Sequence, residues 1–299
     1  MQAFAAFLTL FVLGAVWSQP AAAQARFGPE GVEGEPNRAQ QWLVPSSDPE
    51  IAARALLFRP QGEGPFRLAV IAHATTQNVL RRAQMPQPEY RALAAWLVAR
   101  GFAVLVPERP GHGMTGGKYL EDQGGCDQAD YVHSGRATAA AIASALNFMR
   151  GQSFVRQDGA VIVGHSAGGW GALALGAENL QGVADIIVFA PGRGGHANDF
   201  PNQVCAPQTL VAAAAEFGKT ARVPVTWLVA ANDTYFSPAL SRQLADAFRA
   251  GRGKVDFRLL PAYGGEGHWL AETEGGVKIA GPELDRALKG LSPKPDKRR

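Results

Sequence analysis

Cysteine is scarce in this chain of 299 residues, which has only Cys126 and Cys205. Two cysteines exclude a small disulfide-framework fold, and a pair this far apart supplies too few ligands for a cysteine-based zinc site. Charge is sparse as well, at 18% of residues with a net charge of +3. That excess sits in the last seven residues, where Lys294, Lys297, Arg298 and Arg299 face a single acid, Asp296. The remainder is neutral overall, so a basic face for nucleic acid is not expected. No H-E-x-x-H or comparable ligand spacing exists, and no internal repeat. A zinc enzyme and a solenoid are therefore not expected, and nothing calls for a metal or organic cofactor. Only residues 4–17 are long and apolar enough to consider as a membrane span. As a helix they reach about 21 Å, short of a hydrocarbon core of about 30 Å.

What is present is apolar surface: 46% of residues are hydrophobic and 9% aromatic. A domain of this size buries roughly three quarters of the surface that its unfolded chain exposes. The apolar run at 4–17 is followed by Pro20 and the small residues Ala21, Ala22, Ala23 and Ala25. That layout matches a secretory signal, although no Lys or Arg precedes the run. The sequence thus predicts a signal over 1–25 with cleavage near Ala25, and a secreted or periplasmic protein with no integral membrane domain. In an oxidising compartment Cys126 and Cys205 are expected to pair, contributing about 4 to 5 kcal/mol on the chain-entropy model. An irregular lead-in is expected over 26–40, a folded domain over 41–291 and a basic tail over 292–299.

Within the domain, short apolar runs alternate with helical patterns. Strands are predicted at 68–72, 102–106, 160–163, 185–190, 225–230 and 255–260. Helices are predicted at 90–100, 131–150, 168–177, 207–217, 238–250 and 282–291. Continuous Val/Ile/Leu strands separated by helices imply a mostly parallel sheet covered on both faces. Reactive groups in such sheets come from loops at the carboxyl ends of the strands. His73, the loop from Arg109 to Gly113, Ser166, Asp233 and His268 all fall on that rim.

Gly164-His165-Ser166-Ala167-Gly168 is the only G-x-S-x-G in the chain; composition alone would yield about 0.14 such matches. It lies between a predicted strand and a predicted helix, as a nucleophile elbow requires. A neutral serine needs a base, and the base needs a carboxylate to orient it. His268 and Asp233 follow Ser166 in the order Ser, acid, His that this elbow predicts. Glu266, two residues before His268, is the other candidate acid.

On these segments the chain resembles the α/β-hydrolase superfamily over roughly 41–291, most of all its dienelactone-hydrolase-like and secreted esterase branches. The carrying motifs are the elbow, Asp233 in LVAANDTYFSP, His268 in GGEGHW and the R-P-G-H-G turn at Arg109. The resemblance implies a single-domain α/β-hydrolase fold with a short lid segment over 191–222 and a fairly open cleft. It assigns nucleophile, acid and base to Ser166, Asp233 and His268. The oxyanion hole falls to the backbone N–H of Ala167 and of Thr75. Dienelactone hydrolases proper carry cysteine at the elbow where this chain has Ser166. The His-Gly usual after the third strand is here His73-Ala74.

His73, Ala74, His165, Trp170 and Tyr235 are the candidate pocket residues. His73, His112 and His165 read as hydrogen-bonding groups rather than second bases, and Trp170 either packs the elbow helix or lines the cleft. The expected activity is cleavage of small-molecule carboxylic esters, lactones included, through an acyl-enzyme. A prolyl-oligopeptidase-like peptidase shares the elbow and triad order. A catalytically silent binding protein and an acyltransferase share the scaffold.

Overall fold

The computed structural model describes residues 27–291; the expected signal over 1–25 and the basic tail over 292–299 lie outside the described residues. Three strands come first: β1 (Gly28–Gly34), β2 (Ala39–Pro45) and β3 (Ala52–Phe58). Part of the stretch expected as irregular lead-in is therefore strand. The six expected strands follow as β4 (Arg67–Ala72), β5 (Phe102–Pro107), β6 (Ala160–His165), β7 (Val183–Phe189), β8 (Val225–Ala230) and β9 (Val255–Leu260). One sheet runs in the order β1-β2-β3-β5-β4-β6-β7-β8-β9. The pairings among β1, β2, β3 and β5 are antiparallel, and those from β5 through β9 are parallel.

The parallel strands are buried on both faces because helices cover both. Alternate residues divide cleanly. Leu68, Val70, Ile162, Val188 and Trp227 face a core shared with α3 (Tyr131–Arg150), α4 (Ala167–Glu178), α5 (Pro207–Thr220) and α6 (Pro238–Ala250). Ala69, Ile71, Val163, Ile187 and Leu228 face the opposite core, closed by α2 (Arg91–Val98) and α7 (Glu274–Ala287). A short α1 (Val79–Ala83) lies between β4 and α2. Each fully buried Leu or Ile in these cores contributes about 1.5 to 3 kcal/mol.

One helix differs from its sequence expectation. Pro282 suggests a helix start, since proline suits the first helical position. Instead α7 begins at Glu274, capped by Thr273, whose Oγ accepts from the Gly276 N–H at 3.2 Å, and Pro282 lies inside it. Gly275 and Gly276 mask the true start by their low helix propensity. Gly276 is needed there because a Cβ would strike the Leu270 backbone.

Register aligns the functional rim. Ala72 pairs with Gly164, His165 with Phe189, and Ala230 with Leu260. The carboxyl ends of β4, β6, β7, β8 and β9 thus form one edge, above which the loops converge. Among the described residues, no helix is long and apolar enough to cross a membrane.

Candidate active site

The turn from β6 to α4 holds Ser166 at φ 54° and ψ −119°. A non-glycine residue there carries about 1 to 3 kcal/mol of strain, sustained only if its surroundings dictate it. They do: its N–H donates to the Phe189 carbonyl at 2.9 Å, and its carbonyl accepts from Trp170 N at 2.9 Å and Gly192 N at 3.2 Å. The turn is tight enough that a Cβ on Gly168 would collide with the Ala72 and His73 carbonyls, and one on Gly164 with Gly169. The glycines of the motif therefore let the start of α4 abut the loop after β4.

Asp233 follows β8 and is buried, as is His268 in the 3-10 turn Gly267–Glu272. Nδ1 of His268 donates to Oδ2 of Asp233 at 2.9 Å. The other oxygen, Oδ1, accepts from the N–H groups of Tyr235 and Phe236 at 2.9 and 2.8 Å. Those bonds fix the carboxylate plane, so it orients the imidazole and sets its tautomer. Burial lowers the pKa of His268 below the ordinary imidazole value, against the raising effect of Asp233. The ring is thus neutral and basic at pH 7. Nε2 of His268 and the Ser166 hydroxyl make no hydrogen bond with each other or with other described residues, leaving both free to engage a substrate.

Glu266, the other candidate acid, is occupied elsewhere. Its Oε1 accepts from Thr234 N at 3.1 Å and from His268 N at 3.0 Å, and Oε2 accepts from the Thr234 hydroxyl. It pins the two loops together and does not touch the imidazole.

The structure places the candidate pocket residues in three groups. Tyr235 lines a cleft of about 650 Å³ together with Ser166, Ala167, Thr75, Phe236 and Trp269. Its ring stacks on His268 at 4.3 Å and on His196 at 3.5 Å between centroids. His73 and Ala74 line a neighbouring cavity instead. Trp170 and His165 lie beneath the site and line neither. Trp170 is fully buried, with Nε1 donating to the Tyr131 carbonyl at 2.8 Å. It follows Ser166 by one helical turn and faces α3 and α5, where Phe217 meets its ring at 5.2 Å.

The sequence reads His165 as a hydrogen-bonding group, and the structure gives its partners. Its Nε2 donates to the His268 carbonyl at 2.8 Å, and its Nδ1 accepts from the Tyr90 hydroxyl at 2.9 Å. The Tyr90 oxygen in turn accepts from Ala74 N at 3.2 Å. A buried chain thus links the loop after β4 to the loop carrying His268. The position of Tyr90, in the left-handed region before α2, gave no sequence signal.

In the loop after β4, the Thr75 hydroxyl meets Nε2 of His112 at 2.6 Å. The His112 Nδ1 lies 3.1 Å from the carbonyls of Arg109 and Pro110, so it carries the proton and Nε2 accepts from Thr75. Burial pushes His112 down to about 4, keeping it neutral in this role. His73 is held likewise: Nε2 accepts from Arg109 N at 3.1 Å, and Nδ1 donates to Ala74 O at 2.6 Å. Behind them Glu121 bridges the guanidinium groups of Arg109 and Arg193, all buried. The two arginines hold the Glu121 carboxyl far below its usual range despite the opposing effect of burial.

Cys126 and Cys205 form a disulfide and both line the cleft. Within 191–222 there is the 3-10 turn Ala197–Asp199 and α5, which packs into the core, so only the part before α5 rims the opening. Among the described residues the cleft carries no cap domain.

Residues 87–221, a little under half of the chain, match the family described as serine aminopeptidase, S33. No curated protein matches the sequence. Among solved structures, the chain is similar to a putative dienelactone hydrolase from Klebsiella pneumoniae, with 14% identity and a TM-score of 0.54 over 84% of this chain and 98% of that one. It is also similar to an esterase from Pyrococcus furiosus, with 12% identity and a TM-score of 0.59 over 88% of this chain and 98% of that one. A putative dipeptidyl aminopeptidase IV from Bacteroides ovatus gives 10% identity and a TM-score of 0.61, over 84% of this chain but only 35% of that one. The sheet order, the strand-to-helix turn at Ser166 and these likenesses together show that the chain has an α/β-hydrolase fold.

Proposed function

We propose that the protein is a serine hydrolase acting on carboxylic esters, lactones among them. Ser166 attacks the carbonyl carbon while Nε2 of His268 takes the hydroxyl proton, and Asp233 stabilises the imidazolium that forms. The N–H groups of Ala167 and Thr75 stabilise the oxyanion, each by about 3 to 4 kcal/mol on the scale of single-donor deletions. His268 then protonates the leaving alcohol. Water, deprotonated by the same imidazole, resolves the acyl-enzyme.

The observation that carries this reading is the buried His268–Asp233 pair at 2.9 Å, on the same rim as a serine held at φ 54°. Thr75, Ser166 and Ala167 line one cleft, which supports the oxyanion assignment. We further propose export, with cleavage near Ala25; the Cys126–Cys205 disulfide supports an oxidising compartment.

Wild type and Ser166→Ala compared on a chain-length series of p-nitrophenyl esters test the proposal. Turnover by wild type and none by Ser166→Ala is expected. The family description favours a second reading, a peptidase. Cleavage of aminoacyl anilides without ester turnover would select it.

A further inference from the structure

Tyr235 lies nearly flat against His268. The two rings are 4.3 Å apart between centroids and 20° from parallel. The other rings around His268 depart further from that orientation: His165 at 47°, Phe236 at 55° and Trp269 at 83°, with centroids 5.0, 5.7 and 5.3 Å away. Tyr235 also carries the ring of His196, 3.5 Å away and 9° from parallel. Two rings this close and this parallel cannot share one face, so the phenol is sandwiched between the two imidazoles.

Local features build the stack. Oδ1 of Asp233 accepts from the Tyr235 N–H at 2.9 Å while Oδ2 accepts from Nδ1 of His268 at 2.9 Å, so one carboxylate sets the spacing of phenol and imidazole. The Thr234 hydroxyl donates to Oε2 of Glu266 and so accepts from Nε2 of His196 at 2.9 Å, which fixes the backing ring. A Cβ on Gly195 would lie 2.9 Å from the Tyr235 carbonyl, and this glycine lets the segment after β7 come that close. The Tyr235 hydroxyl has no hydrogen-bond partner among the described residues. What Tyr235 gives His268 is therefore the face of its ring.

The charge on His268 changes in the proposed reaction. At rest the ring is neutral, kept so by burial. As Oγ of Ser166 bonds to the carbonyl carbon, its proton passes to Nε2 and the imidazole becomes a cation. Asp233 meets that charge at the Nδ1 edge. The ring face is left to the phenol, whose quadrupole attracts a cation within about 6 Å of its centroid. That attraction is weaker for the neutral ring than for the imidazolium, so it favours the transition state over the resting state. We propose that Tyr235 is a positioning residue for the proton transfer: its ring face orients the His268 imidazole and stabilises the imidazolium that forms. This rests on the ester-hydrolase reading and adds a side chain to its machinery.

The other titratable groups facing His268 are Asp233, Glu266 and Glu272, which favour its charged form, and His165, which opposes it. His196 lies behind the phenol. The test leaves all of them in place. Tyr235→Leu removes the ring but keeps an apolar wall, and Tyr235→Phe keeps the ring and drops only the hydroxyl. The titration midpoint of His268 is read in the intact protein without substrate, from the NMR signal of its Cε1–H group, identified by its loss in His268→Asn.

Tyr235→Leu is expected to lower the midpoint by about half a unit to one unit, and Tyr235→Phe to leave it within about 0.3 unit of wild type. A ring that only shields the imidazole from water would act in the opposite direction, because opening the site to solvent raises a midpoint that burial depresses. On p-nitrophenyl esters Tyr235→Leu is expected to lower kcat several-fold with KM changed less than about twofold, and Tyr235→Phe to restore it. Tyr235→Met serves if Tyr235→Leu does not fold. A midpoint that rises or stays in place, or a Phe variant that behaves like the Leu variant, would overturn the proposal. The expected shift in a protein that turns over no ester would instead count against the hydrolase reading alone.

Discussion

His165 donates from Nε2 to the main-chain carbonyl of His268 at 2.8 Å, while its Nδ1 takes the hydroxyl of Tyr90. The residue next to Ser166 thus holds the backbone that carries His268. His165→Ala leaves a buried carbonyl and a buried hydroxyl without partners. The loop bearing His268 then loses its anchor, and small misplacements of reacting groups cost up to about 10²-fold. A fall in kcat of about 10- to 100-fold with little change in KM is expected from steady-state kinetics. Unchanged kcat would contradict the role.

The two carboxylates near His268 are expected to separate sharply on substitution. Asp233→Asn keeps the shape but no longer holds the productive tautomer, and such changes in Ser-His-Asp sites cost about 10⁴ in kcat. Glu266→Gln loosens the bonds to Thr234 and His268 main chain, and a loss of no more than about tenfold is expected. Comparable losses for the two variants would mean that Glu266, not Asp233, orients the base.

The legibility of this site in sequence was uneven for physical reasons. Ser166 was marked by glycines whose absence of Cβ the turn requires, and Asp233 and His268 by their places after apolar strands. The choice between Asp233 and Glu266 depended on which oxygen reaches Nδ1, and nothing local in sequence encodes that. Trp170 was ambiguous because a residue one turn along a helix faces either inward or toward the cleft, and packing against Phe217 decides it. Tyr90 acts across 75 residues on His165, a pairing created only by the sheet order. None of β1, β2 and β3 was expected from the sequence: Gly, Pro and Glu dominate the first and its residues are largely exposed, and Gln40, Gln41 and Arg54 interrupt the apolar pattern of the other two, whereas β5 through β8 announce themselves by double-sided burial.

The pH profile expected of the proposed mechanism follows from the burial of His268. Burial lowers His268 below the ordinary imidazole value, so the acid limb of kcat/KM is expected to fall below pH 6.5. Activity is lost as the pH drops through that pKa, because the protonated imidazole cannot accept the serine proton. An acid limb centred above pH 7 would contradict the assignment.

Stability has a separate pH dependence, set by Asp185 at the start of β7. Its Oδ1 is buried without a partner, and burial raises the carboxyl to about 7. The folded chain therefore holds a proton that the unfolded chain releases near pH 4. Stability tied to this group is complete below about pH 4 and lost as the pH rises through about 7. Asp185→Asn is expected to stabilise by roughly 2 to 4 kcal/mol at pH 8.5 and far less at pH 4. Urea denaturation at the two pH values measures it; an equal effect at both would contradict the burial argument.

The disulfide closes the span between Cys126 and Cys205, 79 positions apart. Replacing both by serine is expected to cost about 4 kcal/mol on the chain-entropy model, read as a lowered Tm. Since both cysteines border the cleft, KM is expected to rise as well. An unchanged Tm would show that the bond contributes little.

Whether Ser166 is a nucleophile made reactive by His268 is tested most directly by mass spectrometry after treatment with a fluorophosphonate. A single adduct on the peptide containing Ser166 is expected in wild type, absent in Ser166→Ala and strongly slowed in His268→Ala. Folded wild type that takes up no label, or label that persists in Ser166→Ala, would contradict it.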